Sequence, residues 1–125
     1  MIDFANGSVF KLNQCHPDEV GPLIHPLMIR DERLIWSFKS VRDMVAFTDK
    51  RIIAINVQGL TGKKKDFTSL PYNKIQAFSV ETAGTFDLDA ELDLWFSGLG
   101  KVRLEFKGNS DIQQIGQMIA TYVLG

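Results

Sequence analysis

Cysteine is nearly absent: Cys15 is the only one in 125 residues, so no disulfide can form within the chain and a reducing compartment is the simpler setting. Long apolar runs are missing as well. Nothing approaches the roughly 20 residues a membrane span needs, and Met1 to Lys11 lacks the basic-then-apolar order of an export signal. An excess of one charge is the third absence. The 14 Lys and Arg residues face 15 Asp and Glu, a formal charge of −1, so no global field draws the chain to nucleic acid or to an anionic membrane. The expectation is a cytoplasmic protein without a nucleic-acid partner, whose charged contacts come from local patches. Motifs for chemistry are lacking too. Cys15-His16 and His25 do not make the four-ligand pattern of zinc, and Asp87, Asp89, Glu91 and Asp93 lack the glycine and distal glutamate of a calcium loop. With no nucleophile signature and no phosphate loop, no catalytic, cofactor or metal residue is assigned, and the expectation is a protein that is not an enzyme.

What is present is a change of period along the chain. From Met1 to about Arg30 the pattern is irregular, interrupted by Gly7, Pro17, Gly21, Pro22 and Pro26, and reads as an appendage of short helices. Pro17 with Asp18 and Glu19 suits a first helical turn, and Gly21-Pro22 is expected to stop that helix early. A second short helix over Leu23 to Ile29 would carry Pro26. From residue 31 to the end the chain reads as one domain. Alternation with period two starts at Leu34, Trp36 and Phe38, and turns at Ser40 to Asp43 and at Asp49-Lys50 give a three-strand meander by Val57. A loop with Gly59 and Gly62 and the run Lys63-Lys64-Lys65 leads into a strand through Phe67 to Leu70. Further strands are predicted over Ile75 to Thr82, Glu91 to Ser97 and Lys101 to Phe106. The count is seven antiparallel strands.

The last segment switches to helical spacing, with Ile112, Ile115, Met118, Ile119, Tyr122 and Val123 on one stripe. Ser110 with Gln113 fits a capping box, and Gly108-Asn109 supplies the turn before it. The fold class predicted is mainly β: a seven-stranded antiparallel barrel or sandwich closed by this helix, with a short helical appendage at the start.

The final hairpin can be constrained further. Leu92, Leu94 and Phe96 must share the inner face with Val102, Leu104 and Phe106, so opposed residues have numbers summing to an even value. Two registers remain: Asp93 facing Arg103 with Trp95 facing Lys101, or Asp93 facing Glu105 with Trp95 facing Arg103. Cross-strand charge favours the first. Both place Trp95 on the outer face among charged residues.

Several stretches together carry a resemblance. They are Val41-Arg42-Asp43, Phe47 through Ile53, Gln58-Gly59, Thr61-Gly62-Lys63-Lys64, Ser69-Leu70-Pro71-Tyr72 and Lys74-Ile75. Phe78 through Gly84, Phe86-Asp87, Asp89 through Leu92, and Trp95 with Ser97-Gly98 complete the set. This pattern, over about residues 33 to 100, resembles the bacterial family of pleckstrin-homology-like (PH-like) domains. The resemblance implies a PH-like fold, no known enzymatic activity, and assembly of copies into ring-shaped homo-oligomers. It brings no catalytic residues.

Two candidate surfaces follow. Apolar residues at outer positions, Ile35, Trp95 and the Ile53 and Ile55 of a strand apolar on both faces, suggest either cover by the N-terminal appendage or a subunit interface. With Asp87 and Asp89, whose acidic segment in one copy would face the lysine run of the next, they form the expected oligomer interface. The second surface, for an anion or a partner, is Lys39, Arg42, Lys63, Lys64 and Lys65. Many eukaryotic PH domains bind phosphoinositides through a basic loop between their first two strands. Here that loop offers only Lys39 and Arg42 beside Asp43. At about 1 kcal/mol per lysine the run supplies roughly 3 kcal/mol, below the ~4 kcal/mol of millimolar binding. An oligomeric protein-binding scaffold is therefore the leading expectation, and peripheral membrane or phosphoinositide binding the alternative. Tyr72, Phe78 and Phe86 read as core or corner residues rather than a base-stacking platform.

Overall fold

The computed structural model describes residues 1–4, 9–108 and 110–125. Gly7 and Asn109, which entered the readings of the N-terminal segment and of the turn before the last helix, lie outside the described residues. The chain forms two compact units, Met1–Ile2 with Gln14–Pro71, and Asp3–Asn13 with Tyr72–Gly125.

The first unit is an antiparallel meander of strands β2 (Leu34–Lys39), β3 (Asp43–Thr48), β4 (Arg51–Gln58) and β5 (Lys64–Pro71), hydrogen-bonded in chain order. Each strand lies where the alternation placed it. One face carries Phe38, Val45, Phe47, Ile52, Ala54 and Leu70, all buried, with Phe38 set edge-on to Phe47 at 5.6 Å and 74°. The other face carries Ala46, Ile53 and Ile55, and helix α1 (Pro17–Ile24) lies on it through Val20 and Ile24. The apolar outer positions of β4 are thus covered from within the same unit.

Helix α1 begins as its sequence suggests. His16 caps it, its Nδ1 accepting the Asp18 N–H at 3.1 Å while Glu19 Oε2 accepts the His16 N–H at 3.2 Å, and Pro17 occupies the first turn. The stop expected at Gly21-Pro22 does not occur. The helix runs on to Ile24, because Pro22 forfeits a single bond while Val20 and Ile24 each gain about 1.5–3 kcal/mol by burial. Pro26 then sits in a 3-10 turn, His25–Leu27, rather than in a second α-helix.

A polar clamp fastens the segment after α1. The Glu32 side chain is fully buried, accepting from Arg51 Nε at 2.9 Å and from Thr48 Oγ1 at 2.7 Å, while Arg51 also donates to the Leu27 carbonyl at 2.8 Å.

The second unit has strand order β1 (Val9–Cys15, of which Val9–Asn13 belongs here), β8 (Gly100–Phe106), β7 (Ala90–Phe96) and β6 (Ile75–Glu81). Strands β6, β7 and β8 are antiparallel, whereas β1 runs parallel to β8. Strand β1 is an eighth strand, in a segment read from sequence as irregular. Its alternation is broken by Lys11, which has a left-handed φ of 58°, and by a register shift between Val9 and Leu12. The last hairpin adopts the first of the two registers, Asp93 opposite Arg103 and Trp95 opposite Lys101.

Helix α2 (Ile112–Leu124) buries Ile112, Ile115 and Ile119, three positions of the expected stripe, and packs on β6 and β7. Two details fix its seat. A Cβ on Gly116 would stand 2.9 Å from Val80 Cγ2, and Tyr122 stacks on Tyr72 at 5.0 Å and 10°. The cap is not Ser110. Asp111 holds that place, its Oδ1 accepting the Gln114 N–H at 3.0 Å, while the Ser110 hydroxyl is buried without a hydrogen-bond partner among the described residues. Helix entry is displaced by one residue, so the N–H that is capped is that of Gln114 and not that of Gln113.

Candidate interaction surfaces

In the first unit, the loops β2–β3 and β4–β5 lie at the same end of the meander, tied by an Arg42 guanidinium donating to the Gly59 carbonyl at 2.7 Å. The five basic residues expected at an anion or partner surface divide here. Lys39 is paired with Glu19, and that hydrogen bond raises the Lys39 pKa and lowers that of Glu19. Lys65 donates to the Gly62 carbonyl at 3.0 Å. Lys63 and Lys64 are exposed and make no side-chain bond among the described residues. Sequence reasoning overlooked the apolar component of this end: Val41 is 101% exposed and Leu60 106%, one at each loop tip. Two-residue context could have flagged them, since each sits between turn-forming residues with nothing to alternate against. A hollow of about 220 Å³ lies behind, lined by Lys39, Ser40, Val41, Arg42, Met44 and Val57. It is small for a metabolite and holds no pair of titratable groups arranged as acid and base.

The expected oligomer interface divides too. Ile53 and Ile55 are fully buried beneath α1, so they belong to the core of their unit and not to any surface of the folded chain. Ile35 is half-buried, at the point where the β2–β3 register shifts. Trp95 is on the outer face of β7, 37% exposed. Asp87 is exposed and Asp89 half-buried in the β6–β7 connection, with the Asp89 N–H donating to Asp87 Oδ1 at 3.1 Å. Phe86, read as core or corner, is instead 100% exposed, whereas Tyr72 is buried at its corner.

Registry across β6, β7 and β8 assembles this outer face in rows. Glu81 stands opposite Glu91, and Glu91 opposite Glu105; Ser79, Asp93 and Arg103 make the next row, and Ala77, Trp95 and Lys101 the third. Arg103 is committed to Asp93, at 2.8 and 3.0 Å, with Glu91 further away at 3.5 Å. The Asp93 bond raises the arginine pKa. Partial burial raises the Glu91 pKa, and the neighbouring Glu81 and Glu105 push the same way against the pull of Arg103. Like charges directly opposite are a cost that isolated sheets avoid.

The sequence model of the bacterial PH domain family matches residues 3–123. The chain belongs to the bacterial PH domain family. It is 48% identical over 96 residues to the uncharacterized protein YjqA of Bacillus subtilis (strain 168), covering 75% of this chain and 77% of that protein. The uncharacterized protein YozO of the same organism is 30% identical over 100 residues, covering 80% and 86%. Among solved structures, a DUF1696 family protein with a pleckstrin-homology domain from Shewanella loihica PV-4 superposes with a TM-score of 0.78 at 42% identity, over 90% of this chain and 97% of its own. A pleckstrin homology domain from Shewanella amazonensis SB2B gives 0.67 at 44% identity, over 88% and 100%. The family match takes in α1 and the whole of β1 as well as residues 33 to 100. These matches indicate no enzymatic family. None of the described helices is long and apolar enough to cross a membrane.

Proposed function

We propose that this bacterial PH domain is a non-enzymatic cytoplasmic scaffold that self-assembles into a closed ring and presents a shared surface to a protein partner. The observation that carries the reading is Trp95. An indole 37% exposed in the middle of a sheet face, beside rows of charge, is a poor surface residue and a good interface anchor. Covering its exposed part on assembly is worth about 2 kcal/mol. A contact between two different surfaces repeats until the ring closes. Light scattering of the purified chain over a wide concentration range tests this: a defined multimer is expected, and monomer throughout would sink the reading.

A second reading is peripheral binding to anionic membranes or phosphoinositides through the Lys63 to Lys65 loop. Val41 and Leu60 favour it, because two fully exposed aliphatic tips beside cations suit insertion below lipid headgroups. It predicts salt-sensitive sedimentation with anionic vesicles, abolished by Lys63→Glu/Lys64→Glu.

A further inference from the structure

The outer face of β6, β7 and β8 and the loop end of β2–β3 and β4–β5 are complementary in two respects at once. The face carries an excess of carboxylate, Glu81, Glu91 and Glu105 in one row and Asp93 in the next, against Lys101 and an Arg103 that is bonded to Asp93 and lies 3.5 Å from Glu91. The loop end carries an excess of cations: Lys63 and Lys64 make no side-chain bond among the described residues, Arg42 and Lys65 donate only to the neutral carbonyls of Gly59 and Gly62, and Lys39 alone is paired with a carboxylate, Glu19. Each also presents apolar surface, Trp95 on the face and Val41 and Leu60 at the loop tips.

We propose that the outer face of β6, β7 and β8 docks the loop end of a second copy of this chain, Glu81, Glu91 and Glu105 receiving Arg42, Lys63 and Lys64, and Trp95 receiving Val41 and Leu60. The inference rests on the self-assembly reading and names its contact. It accounts for a feature a lone chain has no use for. Glu81 and Glu105 both stand opposite Glu91 with only Arg103, 3.5 Å from Glu91, to offset them, and further cations would relieve the repulsion that remains. The two surfaces differ, so the contact is heterologous and every docked copy still offers its other surface to the next. Charge matching would set orientation and rate of encounter, and burial of the apolar centre would set the lifetime of the contact. A membrane is the less suited occupant of the loop end. It would leave the acidic face unsatisfied, and the whole chain carries −1 rather than a positive charge.

Reciprocal charge reversal tests the contact on the full chain. Glu91→Lys/Glu105→Lys and Lys63→Glu/Lys64→Glu should each weaken self-association at least tenfold by sedimentation velocity. Mixed in equal amounts, they should associate again, since each supplies the surface the other has lost. Circular dichroism and melting confirm that both are folded. Should the glutamate variant fail to fold, Lys63→Glu/Lys64→Glu and Val41→Ser/Leu60→Ser, all at exposed loop positions, are compared with the wild type, and both should associate at least tenfold more weakly. If the wild type is monomeric, the assembly reading falls and this contact with it. If the wild type assembles and the variants assemble equally well, or their mixture regains nothing, the contact alone is wrong. Binding of the wild type to phosphatidylglycerol vesicles, with self-association unaffected by Lys63→Glu/Lys64→Glu, would give the loop end to a membrane and overturn the proposal.

Discussion

Glu32 shows how much one side chain can organise. Burial pushes its carboxyl pKa up, but hydrogen bonds from Arg51, Thr48 and the Ile29 N–H outweigh burial and hold it below the usual glutamate range. Because the folded-state pKa is depressed, the stabilisation is present above the unfolded value of about 4.3 and is lost as pH falls through the folded value. Removing the carboxylate strands Arg51, so Glu32→Ala should cost about 3 kcal/mol at pH 7 by urea denaturation. The deficit should shrink as pH is lowered below about 4, where the wild type loses the charge too. A deficit independent of pH would mean that packing, and not the ion pair, is what Glu32 supplies. Nothing local in the sequence announces this clamp, because Glu32, Thr48 and Arg51 meet only once β3 and β4 have paired.

At the scale of elements, helix α2 gives the cleanest test of a boundary. Its cap is Asp111, so Asp111→Ala should cost about 1 kcal/mol, while Ser110→Ala, which removes a buried hydroxyl without a described partner, should cost little or nothing. Equal costs would return the cap to Ser110. Gly116 marks the close approach of α2 to β6. Gly116→Leu must push against Val80 and should lose about 1–3 kcal/mol in thermal or urea melts, in spite of the better helix propensity of leucine. No loss would mean that the helix stands further from the sheet.

These elements also show what the sequence made legible. Most of the strands and the stripe of α2 were readable because they bury one face, which writes a period into the residues, whereas β3 and β4, buried on both faces, were marked by the turns that bound them. The β7–β8 register was readable because parity left two choices and Asp93–Arg103 decided between them. Strand β1 was not, since a left-handed Lys11 breaks the period that would have revealed it. The apolar residues expected at an oligomer interface were picked out only as apolar positions outside the expected core, and that criterion cannot distinguish burial under α1 from exposure. Ile53 and Ile55 went one way and Trp95 the other.

At the scale of the whole molecule, the near-neutral charge conceals a separation. The first unit has nine Lys and Arg against seven Asp and Glu, and the second has five against eight, so a chain of net −1 is made of one unit of each sign. Association built on that separation must respond to salt and to pH. The Debye length is ~10 Å at 0.1 M and ~3 Å at 1 M, so raising NaCl across that range should weaken self-association, whereas contacts made by apolar surface alone would hold or strengthen. The pH response is set by the carboxylate row. Glu91 faces Glu81 on β6 and Glu105 and Arg103 on β8, and with its pKa raised it takes up a proton at higher pH than an ordinary glutamate. Docked cations oppose that uptake, so by linkage association is strongest while the row is ionised and weakens as pH falls through the Glu91 pKa of the free chain. Sedimentation velocity stepped downward in pH from 7 should show the loss, and Glu91→Gln should associate more weakly at pH 7 and respond less to acid. Association that is indifferent to both salt and pH would place the contact on the apolar residues alone and remove the carboxylate row from it.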